Sequence, residues 1–204
     1  MSVPPEPSAK NVYSMRIASD RQAPLASAPG PIPVGAFRNC VGEFATGVTV
    51  VTAEAEGEPA GMTLNSFTSV SLEPLLVLVS LGHGSRTLAA TTKSGRFAIS
   101  ILHRGQQAVA IDFAERGVPF PQQHVTRSRD GGFLAVTGAA AVLCCRVAVT
   151  EPAGDHDLVL GEVVSIEHGG GEPLLFHRGR FGGMQMDAVV PAGHPISLDE
   201  GAGW

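Results

Sequence analysis

Residues 138–150 and 157–167 are two long strand-like runs, separated only by a turn around Pro152 and Gly154. Both are dense in Val, Leu and other apolar residues, and so short a connection joins neighbouring strands only as an antiparallel hairpin. The remaining strand signals repeat this pattern. Residues 48–53, 75–81 and 97–102 read as short strands, and residues 57–59 read as a turn. Residues 61–71 alternate hydroxyls with apolar side chains, and residues 174–176 and 180–181 are expected to finish the same sheet. Helices are few. Phe37, Cys40, Val41 and Phe44 fall at i, i+3, i+4 and i+7, the spacing of an amphipathic helix, with Gly47 as its end. Ser85 is an N-cap for a short helix over 86–93 that Gly95 closes, and residues 106–116 form another that stops at Gly117. Residues 119–132 read as a loop. About seven hairpin-linked strands with two or three short helices make a mainly β protein. An antiparallel barrel suits this order better than a doubly wound sheet.

Charge is scarce. Charged residues make up 16% of the chain and apolar ones 44%, against roughly 25% charged in a typical soluble protein. The apolar content excludes disorder of the whole chain. The longest unbroken apolar runs, within 75–79 and 139–145, fall far below the roughly 18 residues of a membrane-spanning helix. A net charge of −5 and a pI near 5.8, with no Lys/Arg stripe, argue against nucleic acid. Cys40, Cys144 and Cys145 make no disulfide framework and read as small buried hydrophobes in a reducing cytoplasm. The first 22 residues hold no apolar core of a secretory signal, so a cytoplasmic protein is expected. Prolines at 4, 5, 7, 24, 29, 31 and 33 mark residues 1–35 as an arm. Residues 185–204 read as a loose tail, which leaves 36–184 as the folded domain.

Several chemistries find no motif. Gly82-His83-Gly84 lacks the third glycine of a dinucleotide loop and the Lys-Ser/Thr of a P-loop. The seven histidines show no metal-ligand spacing, and no nucleophile elbow occurs. Hydroxyls beside strands are abundant instead, in residues 45–52, in residues 61–71 and in Ser85-Arg86-Thr87. Taken singly, such residues are also ordinary strand formers and caps. Together they offer neutral donors and acceptors on a rigid sheet. In the third segment two hydroxyls and a guanidinium stand at a helix start, where free N–H groups and the positive dipole end favour an anion. A phosphorylated, planar ligand fits this set. Glu162, central in an apolar strand, lies either on the outer face or opposite Arg146.

Six segments in order carry a family likeness. They are Phe37-Arg38 through residues 46–52, residues 65–71, Ser85-Arg86-Thr87 with residues 94–98, Gly154-Asp155-His156, Gly161-Glu162-Val163, and residues 176–181. Across 36–182 the chain resembles the short-chain flavin reductases, the reductase components of two-component flavin-dependent monooxygenases. The resemblance implies a Greek-key split β-barrel, the FMN-binding split barrel, in a homodimer with flavin at the subunit interface. It implies an NAD(P)H:flavin oxidoreductase that reduces FMN or FAD by hydride transfer from NADH or NADPH. Reduced flavin would then diffuse to a partner monooxygenase. A non-catalytic flavin-binding or electron-carrier module on the same barrel is the alternative. By the same resemblance, Thr46, Gly47, Val48 and Thr49 line the isoalloxazine. Thr63, Asn65, Ser66 and Ser69 meet its polar edge and the ribityl chain, and Ser85, Arg86 and Thr87 hold phosphate. His156 stands beside the nicotinamide as the catalytic residue, while Arg178 and Phe181 approach the outer flavin or the pyridine nucleotide. The family pattern is departed from at Ser100, Glu73-Pro74-Leu75, residues 117–123 and Gly82-His83-Gly84.

Overall fold

The computed structural model describes residues 30–185. Most of the expected N-terminal arm and nearly all of the expected tail lie outside the described residues. The hairpin on which the sequence turns is the spine of the fold. Strands β9 (Ala141–Ala153) and β10 (His156–His168) run 13 residues each. Gly154 and Asp155 alone join them, with Gly154 at φ +68°, a backbone setting that favours glycine.

Around this spine lie β2 (Thr49–Ala55), β3 (Glu58–Leu64), β4 (Thr68–Leu72), β5 (Leu75–Gly82) and β6 (Arg96–Ile101). All pair antiparallel in the order β3-β2-β6-β9-β10-β5-β4. Consecutive strands β3 and β4 therefore form opposite edges, yet only Asn65, Ser66 and Phe67 separate them. In a flat sheet of seven strands those edges would stand about 29 Å apart. The link reaches about 14 Å at full stretch, so the sheet must curl. Ser66 seats the link over β5, its hydroxyl accepting from Ser80 N at 3.0 Å and donating to Ser80 O at 3.3 Å.

Both faces of the central strands are buried. Val50, Ala98 and Cys144 face one core with Leu102, Phe113, Phe133 and Leu174. Their neighbours Val51, Phe97 and Cys145 face the other with Val77, Val79, Leu81 and Val159. This is the alternation of a strand put to use on two sides. The second core leaves no room above Phe97. A Cβ on Gly161, at a register shift in β10, would lie 2.4 Å from the Phe97 ring and 2.9 Å from Cys145 Cβ. Over the first core, β7 (Val125–Arg127) and β8 (Leu134–Val136) form a small hairpin. Two buried hydroxyls pin β8: Thr52 Oγ1 donates to Leu134 O at 2.6 Å, and Ser100 Oγ accepts from Val136 N at 2.9 Å.

The structure corrects the sequence reading in several places. Helix α1 spans Val34–Val41 and ends at Gly42 rather than Gly47, and it buries no residue. Phe37, Val41 and Phe44 are 58%, 49% and 77% exposed, because an apolar stripe declares a helix face but not what covers it. Helix α2 runs Arg86–Ser94, as its caps foretold. Helix α3 is only Gln107–Asp112, preceded by a 3-10 turn. The loop expected over 119–132 carries a second 3-10 turn and β7. Strands β11 (Leu175–His177) and β12 (Arg180–Gly182) do not finish the main sheet. They form a separate three-stranded sheet with the two-residue strand β1 (Thr46–Gly47). Cys144 and Cys145 are buried, but Cys40 is exposed. Glu162 does face Arg146 across β10 and β9, on the exposed side.

Two substitutions test this packing in urea melts. Gly161→Ala must displace Phe97 and is expected to cost about 1–3 kcal/mol. Thr91 is 0% exposed and its hydroxyl has no partner, so Thr91→Val is expected to leave stability unchanged or raise it by about 1 kcal/mol.

Candidate functional site

The apex of the long hairpin delivers His156 to one end of the sheet. As the first residue of β10 it pairs with Ala153 on one side and with Gly82, the last residue of β5, on the other. Its Nδ1 lies 2.7 Å from Asp155 Oδ1. A carboxylate only accepts, so Nδ1 carries the proton and Nε2 is left toward Gly82, 3.6 Å from where a Cβ on that residue would stand. The hydrogen bond from His156, and then its charge, hold the Asp155 carboxyl below its ordinary value.

Beyond Gly82 the chain enters α2. Ser85 Oγ accepts from Leu88 N at 3.1 Å. The N–H groups of Arg86 and Thr87 have no acceptor within the helix, and no acid stands in the first turn. Arg86 Nη2 donates to Val118 O at 3.0 Å, which ties the loop after α3 to this helix start. Thr87 is 2% exposed, so it packs beneath the helix start while Ser85 and Arg86 stand at its surface. His156, Ser85, Arg86 and Thr87 are thus gathered at one end of the fold.

A second group surrounds a cavity of about 670 Å³ lined by Arg38, Glu43, Phe44, Asn65, Phe176 and Arg178, among others. Thr46 pairs with Phe176 across β1 and β11, and the Phe176 and Phe181 rings meet edge to face at 5.4 Å. Thr46 Oγ1 is buried with no partner among the described residues, while the Cα of Gly47 opens onto space that no described residue fills. Arg178, at φ +48°, donates from Nε to Glu43 Oε1 at 2.8 Å and again from Nη2. Its amide also donates to Gly42 O at 3.2 Å. The end of α1 and the β11–β12 hairpin are therefore fastened together. The Arg178 hydrogen bond holds the Glu43 carboxyl below its ordinary value and raises Arg178 in turn.

The other expected site residues hold the frame. Val48 and Thr49 are 2% and 3% exposed. Thr49 Oγ1 donates to Leu64 O at 3.0 Å and Thr63 Oγ1 to Ala110 O at 2.7 Å. Ser69 is half-buried on β4, opposite Val77. Ser66 lies between the two groups, since its partner Ser80 stands two residues before Gly82. Sequence reasoning missed Glu43, Asp155, Asp157 and Ser80. Only Asp155 carried a readable signal, as the acid beside His156. Among the described residues, no group of three or more His, Cys, Asp or Glu is placed to hold a metal. No described helix is long and apolar enough to cross a membrane.

A curled antiparallel sheet thus carries a helix start beside a histidine at one end and an aromatic-walled cavity beside Asn65. The chain belongs to the family of flavin reductase like domains, whose family model matches residues 41–185. It is 41% identical over 154 residues to the FMN reductase (NADH) SmoA of Agrobacterium fabrum, covering 76% of this chain and 88% of that protein. It is 38% identical over 172 residues to the NADH-dependent FAD reductase of Streptomyces globisporus, covering 81% and 94%. Among solved structures, flavin reductase PheA2 in its native state matches with a TM-score of 0.70 and 38% identity, over 76% of this chain and 100% of that one. The S. globisporus NADH:FAD oxidoreductase SgcE6, in complex with NAD and FAD fragments, matches with a TM-score of 0.68 and 36% identity, over 79% and 95%.

The Glu43–Arg178 pair gives a pH prediction. Glu43 has a depressed pKa in the fold, so its contribution is present above the ordinary value of 4.5 and is lost as pH falls through the folded value. Amide exchange across residues 175–182 is expected to speed up as pH falls below that range, relative to the intrinsic rate. Glu43→Gln is expected to show the faster exchange already at pH 7.

Proposed function

We propose that this chain is an NADH-dependent flavin reductase that reduces FMN or FAD and releases the reduced flavin to a partner monooxygenase. The observation that carries this reading is the meeting of His156 with the open start of α2, through the Gly82–His156 strand pair. An anion-holding end and a candidate nicotinamide-side histidine then share one rigid frame. The residues also fit a flavin. Thr46 offers a buried hydroxyl without a partner, and Gly47 leaves open space where a planar ring can lie. When bound, the flavin accepts hydride from the nicotinamide and carries two electrons away.

The chain's own task is to bind and align. The start of α2 at Ser85-Arg86-Thr87 holds phosphate, with Ser85 fixing the helix start, Thr87 packing beneath it and the Arg86 guanidinium holding the loop beside it. Thr46 and Asn65 meet the polar edge of the ring, and Val48, Thr49, Thr63, Ser66 and Ser69 keep the surrounding strands in place. His156 presents Nε2 to the nicotinamide side while Asp155 fixes its tautomer. Arg178 and Phe181 border the outer part of the site. No side chain acts as a nucleophile. Alignment at about 3–3.5 Å is the catalytic lever.

The curled sheet is read as the split barrel, with the link from Asn65 to Phe67 spanning the split. The homodimer is supported by apolar surface that a lone chain leaves bare: Ile32, Val34, Phe37, Val41 and Phe44 near α1, and Leu72, Leu75, Val164 and Ile166 on the sheet. A second copy covering these residues accounts for the charge-poor composition. Three free cysteines in a 204-residue chain fit a cytoplasmic setting.

Anaerobic mixing with NADH and FMN or FAD is expected to bleach the absorbance of oxidised flavin. No bleaching with either flavin and either nicotinamide donor would leave only a binding module. His156→Ala is expected to lower kcat/KM for NADH by about tenfold or more; an unchanged value removes its role. Phe37→Asp is expected to yield a monomer that has lost flavin affinity. A soluble monomer that binds flavin as before refutes the interface reading.

A further inference from the structure

We propose that His83 is a positioning residue. Its bridge to Asp157 locks the start of α2 to the hairpin bearing His156, so that the phosphate end and the nicotinamide end of the site keep one spacing. This rests on the flavin reductase reading above. At Gly82 the chain leaves the sheet, and four residues later, at Arg86, it begins a helix. Ser85 N donates to Gly82 O at 3.2 Å, but that bond closes the turn on itself and does not fix its direction. Two bonds cross to β10 and its turn, and both come from His83. Its amide donates to Asp155 O at 3.0 Å, and its Nε2 lies 2.8 Å from Asp157 Oδ1.

The imidazole bond is the one set by side-chain identity. His83 is 48% exposed and Asp157 only 20%, so the carboxylate is the more confined partner and has no other side-chain partner among the described residues. The charged and titratable groups nearby along the chain are Asp155, His156 and Arg86. Asp155 is engaged by His156, and Arg86 donates to Val118 O, so His83 is the group left to hold Asp157. A helix start attracts an anion only over its first turn, and hydride transfer depends on distances set to fractions of an ångström. A pivot at Gly82 would alter both.

The test uses the full-length protein with His83→Ala, Asp157→Asn, the double variant and His83→Gln, which keeps an N–H donor for Asp157. Fluorescence titration gives Kd for FMN and for riboflavin, which lacks the phosphate; steady-state kinetics give KM and kcat for NADH. Each single variant is expected to weaken FMN binding and raise the NADH KM by about three- to tenfold, the range for one partly exposed charge-assisted hydrogen bond. Riboflavin binding should change by less than about twofold, whereas kcat should fall together with the FMN affinity, because the hydride distance moves with the pivot. The double variant should be no worse than either single one, and His83→Gln should recover most of the loss. Equal weakening of FMN and riboflavin, no change in either, or a double variant equal to the product of the singles would overturn the proposal. If His83→Ala does not fold, Asp157→Asn and His83→Gln decide the matter by the same ratios. A wild-type protein that binds FMN but never oxidises NADH removes the reductase reading, while the FMN-to-riboflavin ratio still reports on the bridge.

Discussion

A seven-stranded sheet whose opposite edges are joined by Asn65, Ser66 and Phe67 cannot lie flat, and much else follows from that restraint. Curling gives the sheet an inner face that must be filled from within, where Phe97 lies against the bare backbone of Gly161. It gives an outer face that other elements must cover, and α3, β8 and the segment around Leu174 do so. It also brings the joining residues over β5, where Ser66 holds Ser80 by both backbone groups. The cavity beside Asn65 and the helix start after Gly82 are thereby positioned by one short piece of chain. The hydroxyls of Thr49, Thr63 and Ser66, which look like ligand groups in the sequence, bond to the main chain and hold this frame.

Local signals made much of the fold legible. The long hairpin, the strands ending near Ala55, Gly82 and Ile101, and the Ser85 and Gly95 caps of α2 all follow from residue types in short windows. Features that depend on distant partners were not legible. Strands β1, β7, β8 and β12 have two or three residues each, too few for any period to appear. The separation of β11 and β12 into their own sheet depends on Thr46 meeting Phe176. The site divides in the same way. The Ser85 cap follows from residue type and His156 is expected only from the family resemblance, whereas Glu43 reaches Arg178 across 135 positions and His83 reaches Asp157 across 74. Thr46 and Thr49 are the same residue type three positions apart. Only the fold tells that one hydroxyl is left unpartnered while the other serves Leu64.

The scarcity of charge also looks different against the fold. Within the described residues most of the exposed large apolar side chains fall into two sets, with Ile111 and Met184 standing apart. Those near α1 come from residues 32–44, and a second set comes from β4, β5 and β10. Charged side chains are spent largely on pairs that fasten one element to another: Arg178 to Glu43, Arg127 to Glu54, Arg104 to Glu172. Each such exposed pair is worth little in stability, but each ties two distant stretches of the chain together.

Cys144 and Cys145 look toward opposite cores, and both are sealed. Burial pushes the first thiol up to about 11 and the second to about 12, so neither forms thiolate at neutral pH. It is the thiolate, not the thiol, that attacks peroxide. Under the proposed function, reduced flavin that met oxygen before a partner would yield peroxide beside this protein. The central strands of this fold therefore carry sulfur that burial shields from such peroxide, whereas Cys40 is exposed in the single chain.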